Sequence, residues 1–378
     1  MRHRIVERDD DFADLKLAWG SLLATQPRPQ LPLSWEWFSA WWYAFGDSTR
    51  KDHTRQLCIH VFETDEGLRA IVPMYVELRR IRGVSTRTLV TMANGHSPWW
   101  NALLHGELTP AELDEIGRAI LATPDIELVL VLRISADSRL LAWLEGAGRQ
   151  FGRVGINETV RTPMLSAMGN WEEHLKGRSR KYRRNTLRKV RKFEAEPGAT
   201  VERMPLRSGT DPLFDEIVTV SRNSWKVQVG NDLGSNQVGQ TFLRRLLDYL
   251  GPRGDAEAWL ARVDGRPVAY ELHIQAGGIT YPIRADFDES WRELSPGSVV
   301  EYRALEAIFT DPTIETYDSC ADNYWYLNNL TDDARITYDA EFYPRGLKGR
   351  ALYHLEYNVL PPLRKVRSLL RGDDRSRA

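Results

Sequence analysis

Hydrophobic and polar positions follow helix-like and strand-like periods along the chain, and the two kinds of period occur in the same order twice. In the first half they predict helices near 10–24 and 34–46, strands near 55–62, 68–79 and 86–92, a helix near 109–122 and a strand at 126–134. In the second half they predict helices near 212–227 and 238–250, strands at 257–263, 266–275 and 279–287, a helix near 298–310 and a strand at 313–319. This order predicts an α/β protein with two copies of one unit, each a mixed, mostly antiparallel sheet flanked by helices.

Breaks in the pattern predict the domain boundaries. Pro163, Gly169 and Gly177 interrupt it between the two copies. We therefore predict an N-terminal domain over 1–168, a C-terminal domain over 169–350 and a basic tail over 351–378. Residues typical of helix ends support the helix near 109–122, since Thr109, Pro110 and Glu112 have the spacing of a capping box.

Composition limits the class of protein. The chain has 378 residues, of which 42% are hydrophobic and 13 are Trp, which is too many for a disordered chain. The two cysteines and eight histidines lack the spacing of a metal site. The longest apolar run, 126–132, is shorter than the ~20 residues of a membrane helix, and the first residues lack the apolar region of a secretory signal. We therefore expect a soluble cytoplasmic protein without a bound metal.

A formal net charge of −1 conceals one strongly basic segment. Ten basic residues and no acid lie from Lys176 to Lys192, and eight of the ten lie within a predicted helix that begins after Ser179 and ends near Ala195. Cations in its first turn oppose the helix dipole, and like charges four residues apart repel each other. An anionic group must offset this charge. It is either an acidic surface of the same chain, the phosphates of a cofactor, a nucleic acid backbone or anionic lipid headgroups.

A strand, a polar loop and a helix over 281–308 predict a binding site for an anion. In the Ser295-Pro296-Gly297 turn, Gly297 leaves the backbone accessible, and the N–H groups in the first turn of the following helix have no partner within that helix. The alternative is an ordinary turn set by Pro and Gly. Pro282 cannot donate to a strand ladder, so it predicts either an exposed edge or a bulge that would separate neighbouring strands.

The strand at 266–275 predicts a catalytic carboxylate. Glu271 and His273 share one face of this strand, and a buried carboxylate must be paired, open to a cleft or raised in pKa. A carboxylate with a raised pKa is suited to take a proton from an ammonium group. The alternative is a solvated face or one satisfied by salt bridges, for which Arg284 and Asp286 are the expected partners. Asp318 follows an apolar strand and is a further candidate acid.

Several segments together resemble a known family. These are SWEWFSAWWYAFG, LRAIVPMYV, WEEHLKGRSRKYRRNTLRKVRKFE, SRNSWK, LARVDGRPVAYELHI, YPIRADFDESWRELSPGSVVEYRALEAI and ETYDS, in that order. In order and spacing they resemble the two-domain GNAT-like acyltransferases of the CelD type, found in cell-envelope and exopolysaccharide contexts. The FemAB-type peptidyltransferases are structural relatives of that family. The resemblance covers roughly residues 15–345.

The resemblance implies an N-acyltransferase with acyl-CoA, such as acetyl-CoA, as donor and a small-molecule or sugar amine as acceptor. Its one active site is expected in the second domain, since the first has no Ser-Pro-Gly loop. For this reaction Glu271 is the first choice as catalytic base, with Asp286 and Asp318 as further candidates. The implied cofactor-binding residues are Tyr281, Ile283, Ser295, Pro296, Gly297, Ser298 and Val299. The candidate substrate-binding residues are Trp225, Lys226, His273, Arg284, Lys181 and Arg184.

The sequence also bears on alternative donors and functions. The SPGSVV segment departs from the usual Gln/Arg-x-x-Gly-x-Gly/Ala loop of the superfamily, so the donor is either CoA or an aminoacyl-tRNA, as in FemAB-type enzymes. Tyr182 is the one aromatic residue of the basic segment, which argues against a nucleic acid partner. A non-catalytic role in envelope-polymer assembly, with the basic segment and the tail on an anionic membrane, is the remaining alternative.

Overall fold

One mixed sheet forms the framework of the computed structural model, which describes residues 1–46, 55–81, 83–321 and 327–360. Its strands are β1 (Arg2–Val6), β2 (Gln56–Thr64), β3 (Gly67–Ile81), β4 (Val84–Thr91), β5 (Leu103–Leu104), β6 (Leu128–Ser135), β7 (Gly152–Ser166), β8 (Ala199–Pro205), β9 (Ala256–Val263), β10 (Arg266–Ala276), β11 (Ile279–Phe287), β12 (Thr316–Asp318) and β13 (Ala334–Pro344). In the described chain they join in the order β1-β2-β3-β4-β6-β13-β7-β12-β11-β10-β9-β8, and β5 pairs with β3. The pairs β4–β6 and β11–β12 are parallel and the other strand pairs are antiparallel, which confirms the predicted fold class.

Helices pack against this sheet and against one another. They are α1 (Asp9–Asp14), α2 (Lys16–Ala24), α3 (Trp35–Phe45), α4 (Pro110–Leu121), α5 (Arg139–Glu145), α6 (Trp171–Gly177), α7 (Arg180–Glu194), α8 (Pro212–Arg222), α9 (Gln237–Leu250), α10 (Pro296–Ile308) and α11 (Leu347–His354). Helices α3 and α9 join the two halves through edge-to-face contacts between Trp37 and Phe242 and between Trp35 and Tyr249. Such aromatic pairs stabilise a contact beyond the area they bury. In the described residues, no helix is long and apolar enough to cross a bilayer.

The repeat predicted from the sequence is present in the fold. In the first half α3 is followed by the meander β2–β3–β4, by α4 and by the parallel strand β6. In the second half α9 is followed by the meander β9–β10–β11, by α10 and by the parallel strand β12. The two halves therefore have equivalent positions at which a site could form, namely the parallel pairs β4–β6 and β11–β12.

Two strands connect the halves into one sheet. Strand β7 pairs with β13 along most of its length and with β12 at its end, where Met164 lies opposite Asp318. Strand β13, near the end of the described chain, pairs with β6 of the first half. The division into 1–168 and 169–350 stays a prediction, and most of the predicted basic tail, residues 361–378, lies outside the described residues.

Some predicted elements differ from those observed. The helix predicted near 10–24 is two helices that meet at Leu15, and the helix predicted near 212–227 ends at Arg222 and is followed by a 3₁₀ helix over Trp225–Val229. Strands β1, β5, β7, β8 and β13 were not predicted. Strand β8 shows why, since it lies at the sheet edge and alternates exposed with partly buried residues, which leaves a weak hydrophobic pattern.

Candidate active site

Strand β11 contains the bulge that Pro282 predicts. Leu272 of β10 lies opposite Arg284, but the next residue, His273, lies opposite Pro282, so Ile283 is an extra residue in β11. A proline has no N–H to donate, and a bulge accommodates it because the ladder is interrupted there. Of the two alternatives that Pro282 left open, the bulge is therefore the one observed, and β11 stays paired with β10 on both sides of it.

The parallel strands β11 and β12 separate soon after they meet. They form two bridges, Ile279 with Thr316 and Thr280 with Tyr317, and the described residues make no further bridge between them. We call the gap beyond Thr280 and Tyr317 the slot. No described strand pairs with this edge of β11 along the slot, so its backbone N–H and C=O groups can bind an extended ligand.

The slot opens into a cavity of about 820 Å³, which is within the usual size range of ligand sites. Residues 282–287 of β11 form one wall, and residues 319–321 after β12 form another. Helices α7 and α10 line the cavity with Lys181, Arg188, Lys189, Gly297, Ser298 and Glu301. The first half contributes Gly95, His96 and Pro98. The predicted location of a site near this cleft in the second half therefore has a cavity of suitable size.

The start of α10 leaves a backbone donor beside the slot. Ser295, the residue before the helix, has a left-handed backbone, and its side chain does not cap the helix. Ser298 N–H and Val299 N–H donate to the Ser295 carbonyl, and Pro296 has no N–H, so Gly297 N–H is the donor of the first turn left for a ligand. A Cβ at Gly297 would be 3.5 Å from Phe287, so glycine keeps this position open without a clash behind it.

Helix α7 carries positive charge to the same place. It begins after Ser179, whose hydroxyl accepts a hydrogen bond from Tyr182 N–H, and Val190 and Phe193 hold it on the protein. Lys189 Nζ donates to Ser298 Oγ at 2.9 Å. The predicted basic helix is thus confirmed, and its lysine lies beside the start of α10, where a phosphate would be bound by backbone and side chain together.

Two carboxylates lie in the cavity close to this cationic end. Glu271 is 6% exposed, and its Oε2 is 2.8 Å from His273 Nε2. Burial and the nearby charge of Glu271 raise the pKa of Glu301 to about 8, and Lys189 opposes this effect. The predicted pairing of Glu271 with Arg284 and Asp286 is wrong, because those two residues lie opposite Leu272 and Tyr270 and share their face of the strand.

Asp286 lies in the cavity wall but is held by its own partners. Its carboxylate accepts hydrogen bonds from Ser221 Oγ at 2.7 Å and from Tyr270 OH at 2.9 Å, and it is 2.8 Å from Lys226 Nζ. Burial lowers the pKa of Lys226, while the charge of Asp286 opposes that shift. The Asp286 carboxylate thus holds Lys226 in place, and the catalytic role predicted for Asp286 stays a prediction.

Asp318 does not reach the cavity. It is fully buried, forms an ion pair with Arg335 of β13 and accepts a hydrogen bond from Cys320 N–H at 3.1 Å. Arg335 in turn stacks on the Trp99 ring of the first half, with 4.9 Å to the ring centroid. The predicted catalytic role of Asp318 is not supported by this geometry, because the carboxylate ties β12 to β13 instead.

Residues 180–326 match the acetyltransferase (GNAT) domain family. The matched GNAT segment includes α7, the slot and α10. No curated protein matches the sequence. Among solved structures, FemX superimposes with a TM-score of 0.54 at 12% identity, covering 94% of this chain and 99% of that one.

Two further structures have the same overall fold as the chain. The C-terminal domain of a putative lysylphosphatidylglycerol synthetase from Agrobacterium fabrum superimposes with a TM-score of 0.52 at 12% identity, covering 92% of this chain and 97% of that one. A conserved protein of unknown function from Bacteroides thetaiotaomicron gives 0.51 at 12% identity, covering 90% and 100%. At this level of identity the comparison establishes the fold and nothing finer.

The cavity brings together only some of the predicted site residues. The predicted residues that line the cavity are Glu271, Asp286, Ile283, Gly297, Ser298, Trp225, Lys226, Arg284 and Lys181. The predicted residues that do not line it are Asp318, Tyr281, Ser295, Pro296, Val299, His273 and Arg184. Tyr281 and Val299 are fully buried in hydrophobic clusters, and Arg184 is exposed on the outer side of α7.

The cavity residues that the sequence analysis did not predict include Glu301, Lys189 and His96. Glu301 of α10 and Lys189 of α7 both line the cavity, and their spacing of four residues from Gly297 and from Phe193 could have placed them on the inner faces of the two helices. His96 comes from the first half, and burial lowers its pKa to about 4, with Arg284 reinforcing the shift. Among the described residues, no group of three or more His, Cys, Asp and Glu could hold a metal ion.

Proposed function

We propose that this protein is an N-acyltransferase that moves an acyl group from a pantetheine thioester, as in acyl-CoA, to an amine. The observation that carries this proposal is the slot between β11 and β12, which opens on Glu271 at one side and on the start of α10 at the other. A pantetheine arm is extended and contains two amides, which suit the unpaired edge of β11. Its phosphate would then lie near Gly297 N–H and Lys189.

The transfer needs one proton acceptor and one stabilised oxyanion. Glu271 takes a proton from the ammonium group of the acceptor, directly or through a water molecule, and His273 holds the carboxylate in place. The free amine attacks the thioester carbonyl carbon, the C–N bond forms, the C–S bond breaks and the thiolate leaves with a proton. Backbone N–H groups along the slot stabilise the negative charge on the carbonyl oxygen.

The acceptor enters from the side of Trp225 and Lys226. Trp225 is 38% exposed at the cavity wall, and Lys226 Nζ is fixed by Asp286 and by a hydrogen bond of 2.6 Å to the Ala285 carbonyl. An aromatic face and a positioned cation suit a small polar amine such as an amino sugar. This supports a role in cell-envelope or polysaccharide metabolism, as the resemblance to CelD-type enzymes implies.

The test is the steady-state kinetics of Glu271→Gln. Acetyl-CoA serves as donor with a panel of amino sugars, amino acids and polyamines, and thiol release is followed with and without each amine. Because the substitution removes the general base, we expect kcat to fall by about 10²–10⁴-fold with little change in KM for the donor.

Glu257→Gln is the matched control. Glu257 lies on the neighbouring strand β9, where it binds Arg203 outside the cavity, so its substitution should leave kcat unchanged. Wild-type turnover that persists in a folded Glu271→Gln enzyme would exclude Glu271 as the base. Thiol release that does not depend on an amine would contradict the acyltransferase proposal itself.

A second candidate is aminoacyl transfer from tRNA. The exposed cations of α7 favour it, and the fold is shared with FemX and with a domain from a putative lysylphosphatidylglycerol synthetase. The same carboxylate chemistry would serve an aminoacyl ester. Filter binding of bulk tRNA at rising salt distinguishes the two candidates, since a nucleic acid complex of this kind weakens steeply between about 50 and 200 mM salt.

A further inference from the structure

The outer face of α7 presents a row of cations that the rest of the described chain does not neutralise. Its exposed basic residues, which we call the α7 basic surface, are Arg180, Lys181, Arg184, Arg188, Arg191 and Lys192. Among ion pairs between described residues, Lys192 has a distant one with Glu293, at 4.0 Å, and the other five have none. Of the alternatives drawn from the sequence, compensation by acids of the same chain is therefore not supported.

This surface costs stability when nothing covers it. Arg180 and Lys181 lie in the first turn, where the helix dipole is unfavourable for cations, and α7 has no acid there to offset them. Arg180, Arg184 and Arg188 follow one another at spacings of four residues, each pair costing roughly 0.2–0.5 kcal/mol. An anionic partner outside the chain would remove this cost.

The α7 basic surface is continuous with the donor side of the cavity. Lys181 and Arg188 belong to both, and Lys189, one residue further on, contacts Ser298 at the start of α10. A helix of this length extends over roughly 22 Å at ~1.5 Å per residue. The occupant therefore combines an extended arm inside the slot with an anionic body that covers the helix outside it.

Free CoA does not fit this description well. Its phosphates can reach Lys189 and Arg188, but it is too small to cover Arg180 and Arg191 as well. The start of α10 supplies Gly297 N–H as its one unpaired donor, which suits a single phosphodiester better than a pyrophosphate. A nucleic acid is large enough, but recognition of single strands relies on exposed aromatic rings, and Tyr182, the one aromatic of α7 outside its buried face, is turned into the cavity.

We infer that the natural donor is an acyl thioester of phosphopantetheine on an acidic carrier protein, which docks on the α7 basic surface. This inference rests on the proposed function and names the carrier of its acyl group. The carrier's phosphodiester lies at Lys189 and Ser298, its arm fills the slot, and its acidic helices cover the arginines. The acceptor nitrogen bonds to the acyl carbon, the C–S bond breaks, and the thiol stays on the carrier with the proton released by the amine.

The experiment compares two donors of the same acyl group, first acetyl and then octanoyl. One is acyl-CoA and the other is a bacterial fatty-acid-synthesis acyl carrier protein loaded with that group. We expect kcat/KM for the carrier donor to exceed that for acyl-CoA by at least about tenfold, and to fall as NaCl rises from about 50 to 300 mM.

The variant that tests the surface is Arg180→Glu/Arg191→Glu, which reverses two exposed charges outside the cavity. It should lower kcat/KM for the acyl carrier protein by at least about tenfold and change that for acyl-CoA by less than about twofold. Arg2→Glu/Arg8→Glu is the matched control, with the same change in net charge at two exposed arginines of the first half, and should behave as wild type.

Every other result would overturn the inference, and the first three identify a different donor or partner. Turnover of acyl-CoA at or above the rate with the carrier leaves the acyltransferase in place and removes the carrier. Transfer from aminoacyl-tRNA, or tRNA binding lost in Arg180→Glu/Arg191→Glu, replaces the carrier with a nucleic acid. Binding to phosphatidylglycerol vesicles that depends on the same arginines replaces it with a membrane. No transfer from either thioester contradicts the proposed function together with the inference.

Discussion

The two parallel strand pairs of the sheet occupy equivalent positions, but one is closed and the other is open. Between β4 and β6 of the first half, Leu132 N–H donates to Thr91 Oγ1 at 2.8 Å, so a side chain fills the place where the strands would separate. The loop after β4 then comes back to β6, where Trp100 N–H donates to the Arg133 carbonyl and Ser135 N–H donates to the Trp100 carbonyl. Between β11 and β12 the described residues leave the slot open beyond Thr280.

Helices α4 and α10, which follow β4 and β11 in the two copies, differ in the same way, at their first turns. At the start of α4, Thr109 and Glu112 form a complete capping box, and Glu112 also binds Arg69. Those contacts hold the pKa of Glu112 at about 2, with the Arg69 hydrogen bond as the largest cause. Among the described residues no side chain caps α10, and the pKa of Glu301 is raised to about 8. One copy thus satisfies its polar groups internally, and the other leaves them for a ligand.

This contrast explains how a duplicated fold can have one site. In the first copy the polar groups at the strand edge and at the helix start form hydrogen bonds within the protein. Those hydrogen bonds contribute to stability. Keeping the second copy open requires an uncapped helix and two neighbouring acids, the buried Glu271 and the half-buried Glu301, and each of these features is unfavourable without a ligand. The following substitutions test whether the two copies differ in energy in the way their contacts indicate.

The largest expected effect is on the pH dependence of stability in Glu301→Gln. The pKa of this group is about 8 in the folded protein and lower in the unfolded chain, so the folded state binds more protons and wild-type stability falls as pH rises from about 5 to 8. A tenfold change in an acid constant corresponds to ~1.4 kcal/mol of free energy. Because solvent screens the partly exposed carboxylate, the effect is smaller than the full pKa shift would give. We therefore expect Glu301→Gln to raise the free energy of unfolding at pH 8 by about 2–4 kcal/mol. Urea unfolding at about pH 5, 6.5 and 8 measures it.

Glu112→Gln is the matched control in the closed copy, with the opposite sign. Because the folded pKa of Glu112 lies below its unfolded value, its stabilisation is complete above about pH 4.5 and is lost as pH falls towards 2. The substitution should therefore lower stability at pH 7 by about 1 kcal/mol. A wild-type profile that is flat from pH 5 to 8, or that is unaltered in Glu301→Gln, would mean that the acidic pair is not buried as described.

Local features of the fold could be predicted from the sequence because their causes are local. The capping box at Thr109 needs residues three apart on one chain, and the bulge near Pro282 follows from a missing N–H group. The basic helix after Ser179 was equally visible, since charge and helix-end residues lie within one segment. The strand alternation that put Glu271 on the face opposite Tyr270 was also enough to identify a candidate base.

Contacts between distant segments could not be predicted in this way. Thr91 closes the first copy through Leu132, which depends on the register of two strands far apart in sequence. The burial of Asp318 depends on Arg335, and β13 carries that residue back into the first half. Such pairings are set by the topology of the whole sheet, so a periodic pattern identifies the strands without identifying their partners.

A smaller effect is expected from Thr91→Val, which removes the hydroxyl that closes the first copy. The shape of the side chain is kept, but Leu132 N–H loses its acceptor in a buried place, so the free energy of unfolding should fall by about 1–3 kcal/mol. Denaturant unfolding measures the change, and turnover in the folded protein should stay at the wild-type level.

Thr280→Val is the control in the open copy. Its hydroxyl is buried without a hydrogen-bond partner among the described residues, so its removal should be neutral or stabilising. Equal destabilisation by the two substitutions would show that the hydroxyl of Thr91 has no special role in closing β4 against β6.

The smallest effect on stability, and the one most specific to the open copy, is expected from Gly297→Ala. Alanine is favoured over glycine inside a helix by about 0.5–1 kcal/mol, and its Cβ would meet Phe287 at an ordinary contact distance of 3.5 Å, so the protein should become more stable. The same methyl group would stand beside the one free N–H of the first turn and weaken binding of the donor phosphate, by roughly tenfold or ~1.4 kcal/mol.

Gly20→Ala in α2, where a Cβ meets nothing within 4 Å, should give the gain in stability without the loss of donor affinity. Thermal unfolding measures the change in stability, and calorimetric titration with CoA and with a phosphopantetheine-bearing carrier measures the change in donor affinity. A Gly297→Ala protein that binds both donors as tightly as wild type would show that the donor phosphate does not lie at the start of α10.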